Sequence, residues 1–334
     1  MSNPVLVEVT RGDGVESRHR GSIAVFDKSG KSIAAWGDIT RPVLPRSAVK
    51  PLQALPLIET GAAEKFAISD AELALACSSH NSEPEHVDQI AAWLRRIGLS
   101  EANLECGPHR PMDEQASDAL VRNGIQPTRL HNNCSGKHAG FLTTAVHLNE
   151  PTAGYASAGH PVQARLRRTL EEMGDCDLSA APEGIDGCGI PVIAMPLSAI
   201  ALALARMADP SGLDPARAIA ARRIVAAMTT HPHLIAGRHR FDTTVMQAAR
   251  GAIAVKTGAE GVHAAILPKL GLGVALKIDD GTRRAAEVTM AGVLRHLGAL
   301  DDYMTGKLKE TLEPGILNAA GEPVGGIRMA KGWV

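Results

Sequence analysis

Arg46-Ser47-Ala48-Val49-Lys50 places a hydroxyl and an amine three residues apart. If a helix begins near Ser47, the two fall on neighbouring positions of one helical face. A serine hydroxyl is a weak nucleophile and needs a base to take its proton. A lysine can be that base only when burial or a second cation draws its pKa toward neutrality. Pro51 has no N–H to give to a second turn, so either the turn is tight there or the helix begins later. Far downstream, Lys256-Thr257-Gly258 sets a second lysine where a strand, Ala252 to Val255, runs out into a turn. Between the two, Ser79-His80-Asn81 offers another hydroxyl in a polar loop.

A second constellation is thiol-based. Cys134, Lys137 and His138 lie in HNNCSGKH (131–138), and Cys188 lies in Asp186-Gly187-Cys188-Gly189. Two thiolates and an imidazole make an ordinary zinc set, with a fourth position left for water or substrate. Cys134 and His138 stand four residues apart, which suits one helical face. Donor chemistry alone therefore selects Cys134, His138 and Cys188, against the plainer reading of two reduced, buried cysteines. His231-Pro232-His233 and Arg238-His239-Arg240 invite thoughts of metal or phosphate, but they read as a solvated polar loop. Gly271-Leu272-Gly273 is no dinucleotide fingerprint, because a strand follows it.

S-x-x-K, S-x-N and K-T-G are commonplace singly, but in this order they travel together in penicillin-recognising serine enzymes. With RSAVK (46–50), CSSHNSEPEH (77–86), HNNCSGKHAG (131–140), GHPVQ (159–163), DGCGIP (186–191) and VKTG (255–258), the chain resembles the Rhizobium etli-type, or class 3, L-asparaginases. The resemblance runs from the first strands to about Leu297, and the two cysteine blocks are its specific part.

The resemblance implies a fold similar to serine β-lactamases, hydrolysis of L-asparagine to L-aspartate and ammonia, and a homodimer. It implies two Ser-Lys tandems, Ser47 with Lys50 and Ser79 with Lys256. It also implies one zinc ion per chain on Cys134, Lys137 and Cys188. That set puts Lys137 in place of His138, which then supports a ligand instead of being one. A lysine ligand must be neutral, which a nearby Zn²⁺ promotes. On this footing Ser47 attacks the side-chain amide, Lys50 accepts its proton, and Ser79, tuned by Lys256, relays a proton to the leaving group. Arg46 is the candidate for the substrate carboxylate and Asp186 for its ammonium, with His80 and Asn133 as further substrate contacts. Zinc is expected to orient substrate. The alternatives are another acyl-serine hydrolase, glutaminase or β-lactamase-like, or a non-catalytic zinc- or ligand-binding relative.

These groups need a scaffold. Val5 to Thr10, Gly21 to Phe26 and Ser32 to Trp36 read as strands, the last two joined by the turn residues Asp27-Lys28-Ser29-Gly30. Ser82-x-x-Glu85 reads as a capping box ahead of a helix that stops at Gly98. Leu197 to Met207 and Ala216 to Met228 read as helices. Strands return at Ala252 to Val255, Val262 to Ile266 and Gly273 to Ile278, and a helix runs from about Thr282 to Leu297. Strands near both ends of a chain normally join one sheet. The expected class is α+β, with an antiparallel sheet built from approximately 1–45 and 245–334 and a mainly helical part over approximately 46–244.

With 334 residues, 45% of them apolar, the chain can bury a sizeable core. Thirty-five Lys and Arg against 36 Asp and Glu leave a net charge of −1. That balance argues against nucleic acid or anionic membrane as partner. Aromatics at 3% also argue against base-stacking platforms. Five scattered cysteines make no disulfide framework and point to a reducing compartment. The first twenty residues show no apolar signal core, and the apolar run Ile190 to Ala205 is too short and proline-broken to span a bilayer. The expectation is a cytoplasmic protein acting on a small molecule.

Overall fold

Residues 2–332 are described by the computed structural model. Its main sheet has eight strands, numbered along the chain. Three come early: β1 (Val5–Arg11), β2 (Gly14–Asp27) and β3 (Ser32–Trp36). Three follow the helical section: β4 (Ala254–Thr257), β5 (Val262–Leu267) and β6 (Leu272–Ile278). Two close the chain: β7 (Gly315–Leu317) and β8 (Pro323–Met329). The order is β7-β8-β1-β2-β6-β5-β4, with β3 also on β2, and every pairing is antiparallel. The expected α+β class, with one sheet drawn from both ends of the chain, is what forms.

Two differences from expectation have physical causes. β2 starts seven residues before Gly21, because Gly14 to Arg20 pairs with β1 while facing water with charged side chains. β7 and β8 escape the sequence reading because Pro323-Val324-Gly325-Gly326 lacks the apolar alternation of a strand. The β2–β3 turn forms as expected: Asp27 Oδ1 accepts from Ser29 N, Ser29 Oγ and Lys31 N at 2.6–3.1 Å.

Seven of the helices matter for the site: α1 (Asp70–Ala76), α2 (Pro84–Arg96), α3 (Ser135–His147), α4 (Leu197–Ala208), α5 (Pro215–Thr230), α6 (Phe241–Ala249) and α7 (Arg283–His296). α4 lies across β2, β5 and β6, and α7 across β1, β5, β6 and β8. β5 is buried at every position, so both faces of the sheet are covered there. α1 packs between α3 and α5. α2 is tied to α3 by Trp93 Nε1 donating to Thr143 Oγ1 at 2.9 Å. No helix among the described residues is long and apolar enough to cross a membrane.

The capping box expected at Ser82 does not form. Glu83 takes the N-cap position, and Ser82 adopts φ +63° with its side chain turned inward to the His131 carbonyl at 2.5 Å. A box of this kind instead opens α1, where Ser69 and Glu72 satisfy each other's backbone N–H groups.

Candidate active site

Three elements deliver the Ser-Lys cluster. The chain leaves α1 through Cys77 and Ser78, with Ser79 N donating to Ile235 O at 2.9 Å. Arg46–Val49 forms a single 3₁₀ turn, and an α-helical turn, Lys50–Gln53, follows directly. Pro51 sits in the first turn of that helix, where a missing N–H costs nothing. Lys256 is the penultimate residue of β4. Gly258 lets the strand end approach the Ser47 turn, because a Cβ there would lie 3.0 Å from Pro45 O and 3.1 Å from Val262 Cβ.

The outcome is a hydroxyl held by two amines. Lys50 Nζ lies 3.0 Å from Ser79 Oγ, and Lys256 Nζ lies 2.9 Å from it. Lys50, Ser79 and Lys256 are all buried. Lys50 Nζ also donates to Ser78 O and to Cys134 Sγ, the latter at 3.2 Å. Three acceptors use all three N–H bonds of an ammonium. Lys256 Nζ has one other acceptor, Thr257 O at 2.7 Å. Burial draws the Lys256 amine down to about 7; Asp242 opposes this, and Lys50 and Arg240 add to it. The structure brings Ser79 and Lys256 together. Lys50, by contrast, reaches Ser79 and makes no hydrogen bond to Ser47, whose half-buried hydroxyl has no partner among the described residues.

Asp242, which sequence reasoning passed over, organises the far side of Lys256. It is buried in α6, accepts from Thr257 N at 2.8 Å and Thr257 Oγ1 at 2.6 Å, and meets His263 Nε2 at 3.1 Å. Its Oδ2 lies 4.0 Å from Lys256 Nζ. Burial works against its charge, but His263, Lys256 and Thr257 outweigh it and hold the carboxyl far below its ordinary range. Only the K-T-G threonine hinted at such a partner.

The thiol cluster adjoins this site through Lys50. Lys137 Nζ lies 3.1 Å from Cys188 Sγ, and both residues are buried with Cys134. A hydrogen bond from Cys134 lowers the Cys188 thiol to about 5 despite its burial, and Lys137 assists. The same bond, with burial, pushes Cys134 up to about 12. Lys137 is disfavoured as a cation by burial, but Cys188, Cys134 and Asp186 raise it above its ordinary value. Two sulfurs and one lysine nitrogen in a buried cluster fit a zinc ion, whose binding would require the remaining protons to leave. Gly136 makes the cluster possible: a Cβ there would lie 2.7 Å from the carbonyl carbon of Leu75, so α3 could not press against α1. His138 is turned elsewhere, with Nδ1 sharing a 2.7 Å bond with Tyr155 Oη. Its donors are not gathered within 4.8 Å of both sulfurs among the described residues.

The expected substrate contacts fare unevenly. Arg46 and Asp186 are bonded to each other, with Nε and Nη2 both 2.7 Å from Asp186 Oδ1. His80 is spent within the protein: Nδ1 accepts from Ser82 N at 3.1 Å and Nε2 lies 2.9 Å from Ser135 Oγ. Asn133 accepts at its backbone oxygen from His80 N at 3.2 Å, and its side chain has no partner among the described residues. The loop read as solvated is so only in part. Arg238 and His239 are exposed, whereas Arg240 and His233 are half-buried.

A second donor group lies nearby, with Glu83, His86 and His233 atoms within 4.8 Å of one another. Its two imidazoles stack at 5.3 Å and 23°. Stacked rings direct their in-plane lone pairs side by side instead of toward one point. Glu83 is also already paired with Arg238 at 3.0 Å.

A family described as L-asparaginase II matches residues 7–329. No curated protein matches the chain. Among solved structures, a β-lactamase from Mycobacterium bovis is similar at 15% identity and a TM-score of 0.42, covering 83% of this chain and 94% of that one. A simvastatin synthase from Aspergillus terreus is similar at 12% identity and a TM-score of 0.43, covering 86% of this chain and 91% of that one. Likenesses of this degree carry no argument about the site. The family match spans nearly the whole length, and the chain belongs to the L-asparaginase II family, a family of amidohydrolases.

Proposed function

We propose that the chain hydrolyses L-asparagine to L-aspartate and ammonia through an acyl-serine intermediate. The observation that carries this reading is Ser79 Oγ lying within 3.0 Å of two buried lysine amines. Lys50 donates into the oxygen, while Lys256, drawn to about 7 by burial, can accept the hydroxyl proton. The oxygen is then polarised from both sides. It attacks the side-chain amide carbon, a C–O bond forms, and the C–N bond breaks as the proton held by Lys256 passes to the leaving ammonia. Water then cleaves the ester, with Lys256 taking the water proton and Ser79 regaining its own. Base assistance of this kind is worth about 10²–10⁴-fold.

Ser47 is the second candidate nucleophile. Its half-buried hydroxyl, without a partner among the described residues, favours this alternative, because it is more open to substrate than Ser79. In that scheme Lys50 would leave Ser79 to serve Ser47. The Asn133 carboxamide, without a partner among the described residues, can be offered to the substrate, and Asp186 Oδ2, which has a 4.0 Å contact with Cys188 Sγ, can meet the substrate ammonium while Oδ1 holds Arg46. His80 acts indirectly, by fixing the turn that carries Ser79. Cys134, Lys137 and Cys188 would hold one zinc ion, whose charge would help orient substrate. The reading brings with it a homodimer in the cytoplasm. Ammonia release from L-asparagine and L-glutamine, beside the colour change of a chromogenic β-lactam, tests it: strong turnover of asparagine alone supports it. Turnover confined to either of the others would replace it with a glutaminase or a β-lactamase-like hydrolase.

A further inference from the structure

Of the cations around Ser79, Lys50 spends its N–H groups on Ser78 O, Ser79 Oγ and Cys134 Sγ, and most of the others have a counter-charge. Lys256 has Asp242, and Lys137 has Cys188. Arg46 has Asp186, and Arg238 has Glu83 at 3.0 Å and Asp113 at 3.2 Å. Arg240 forms no ion pair among the described residues. Its Nη1 donates to Asn81 Oδ1 at 2.8 Å and lies 3.5 Å from Ser79 O and 3.8 Å from Met112 Sδ. Among the described residues Nε and Nη2 have no acceptor, so the planar fork that suits a carboxylate is unused there.

The surroundings favour an anion. Arg240 lines a cavity of about 390 Å³ with Asn81, Asp113, Glu114, Arg238 and Arg283. Asp113 is already shared between Arg238 and the N–H of Ala116. Arg240 also precedes α6, which no side chain caps, so the positive end of that helix adds to its field. The carbonyl it touches belongs to Ser79 itself. Nη1 at 3.5 Å from that carbonyl puts the guanidinium beside the residue that carries the hydroxyl.

We infer that Arg240 anchors the α-carboxylate of the amino-acid substrate, the task expected of Arg46, whose guanidinium is committed to Asp186. This deepens the asparaginase reading and rests on it. Arg240 also braces the Ser79–Asn81 turn, and the two roles separate by choice of substrate. β-Alaninamide is asparagine without its α-carboxylate, and β-alanine is the matching analogue of L-aspartate.

The test measures ammonia release from L-asparagine and β-alaninamide by the wild type, Arg240→Gln and Arg240→Lys, with calorimetric titration of L-aspartate and β-alanine. Arg240→Gln is expected to raise KM for asparagine at least about tenfold, the loss of one charge-assisted bidentate contact. The fall in kcat/KM should be at least about tenfold greater for asparagine than for β-alaninamide, because any effect on Lys256 or on the Ser79 turn falls on both substrates alike. Arg240→Lys should recover part of the loss, and it reads the same contrast if the glutamine variant does not fold. Equal losses on both substrates, or no loss on either, would overturn the inference and leave Arg240 a brace. If the wild type turned over neither substrate, the asparaginase reading would fail, and binding would decide separately. Weaker L-aspartate binding in the variants with β-alanine unaffected would uphold the anchor; the same affinities throughout, or no binding at all, would overturn it.

Discussion

Lys256 Nζ lies 2.9 Å from Ser79 Oγ and 4.0 Å from Asp242 Oδ2, so one buried amine sits between a hydroxyl to be activated and a carboxylate that favours its protonation. Burial wins by drawing the amine down to about 7, and Lys50, Arg240, Asp242 and Cys134 are the charged or titratable groups that also act on it. The ordinary lysine value is 10.5, so the change places the base near neutral pH.

The acid limb of kcat/KM follows from that value. Below about 7 Lys256 is protonated and cannot accept from Ser79; above it the amine is free. Activity should rise with pH through about 7 and then level. Lys256→Ala should lose about 10²–10⁴ in kcat. A pH–rate profile with no limb between 6 and 8 would assign the base to another group, where that window is roughly one unit either side of the amine.

Asp242 raises the Lys256 pKa, so its removal has a defined sign. In Asp242→Asn the acid limb should move below 7. Asp242→Ala should also cost about 3–5 kcal/mol in denaturant unfolding, because Thr257 N, Thr257 Oγ1 and His263 lose a buried partner. A limb that moved upward would show that the carboxylate does not act on this lysine.

Gly136→Ala should disturb chemistry and stability together. The added methyl would meet the Leu75 carbonyl carbon at 2.7 Å, separating α3 from α1 and with them Cys134 and Lys137 from the Ser79 turn. Overpacking of this kind costs about 1–3 kcal/mol. An unfolding midpoint and an activity both equal to wild type would show that the contact yields without consequence.

The thiol cluster makes a stoichiometric claim. Purified protein should hold about one zinc per chain, and Cys188→Ser or Cys134→Ser should lose it, since two of three protein ligands cannot close a site. His138→Ala should retain the metal, because neither ring nitrogen gathers with the two sulfurs among the described residues. Metal lost in His138→Ala and kept in Cys188→Ser would reverse the ligand assignment.

Much of this arrangement was legible from residue types. Strand patterns near both chain ends announced the sheet, and S-x-x-K, S-x-N and K-T-G announced three residues that meet at one hydroxyl. The Ser79–Lys256 pair came with the family resemblance, but the partner of Lys50 was not legible, because spacing along a helix says nothing about a serine arriving from another element. Thus Lys50 turns from Ser47, three residues away, to Ser79, twenty-nine away. Asp242 was invisible because a lone buried carboxylate in Phe241–Ala249 carries no local pattern. The final strand was missed for the opposite reason: Gly325 sits there because a Cβ would collide with the Thr10 backbone, which makes the segment read as a turn. Ser82 misled because its spacing to Glu85 imitates a cap, while its side chain is drawn inward by the His131 carbonyl.

The most direct trial of the account is to quench the enzyme during turnover of an activated amide or ester of aspartate, then map the added mass by peptide analysis. The account predicts a β-aspartyl adduct on Ser79, absent in Ser79→Ala and present in Ser47→Ala. An adduct on Ser47 that persists in Ser79→Ala would contradict it and move the attack to the other hydroxyl.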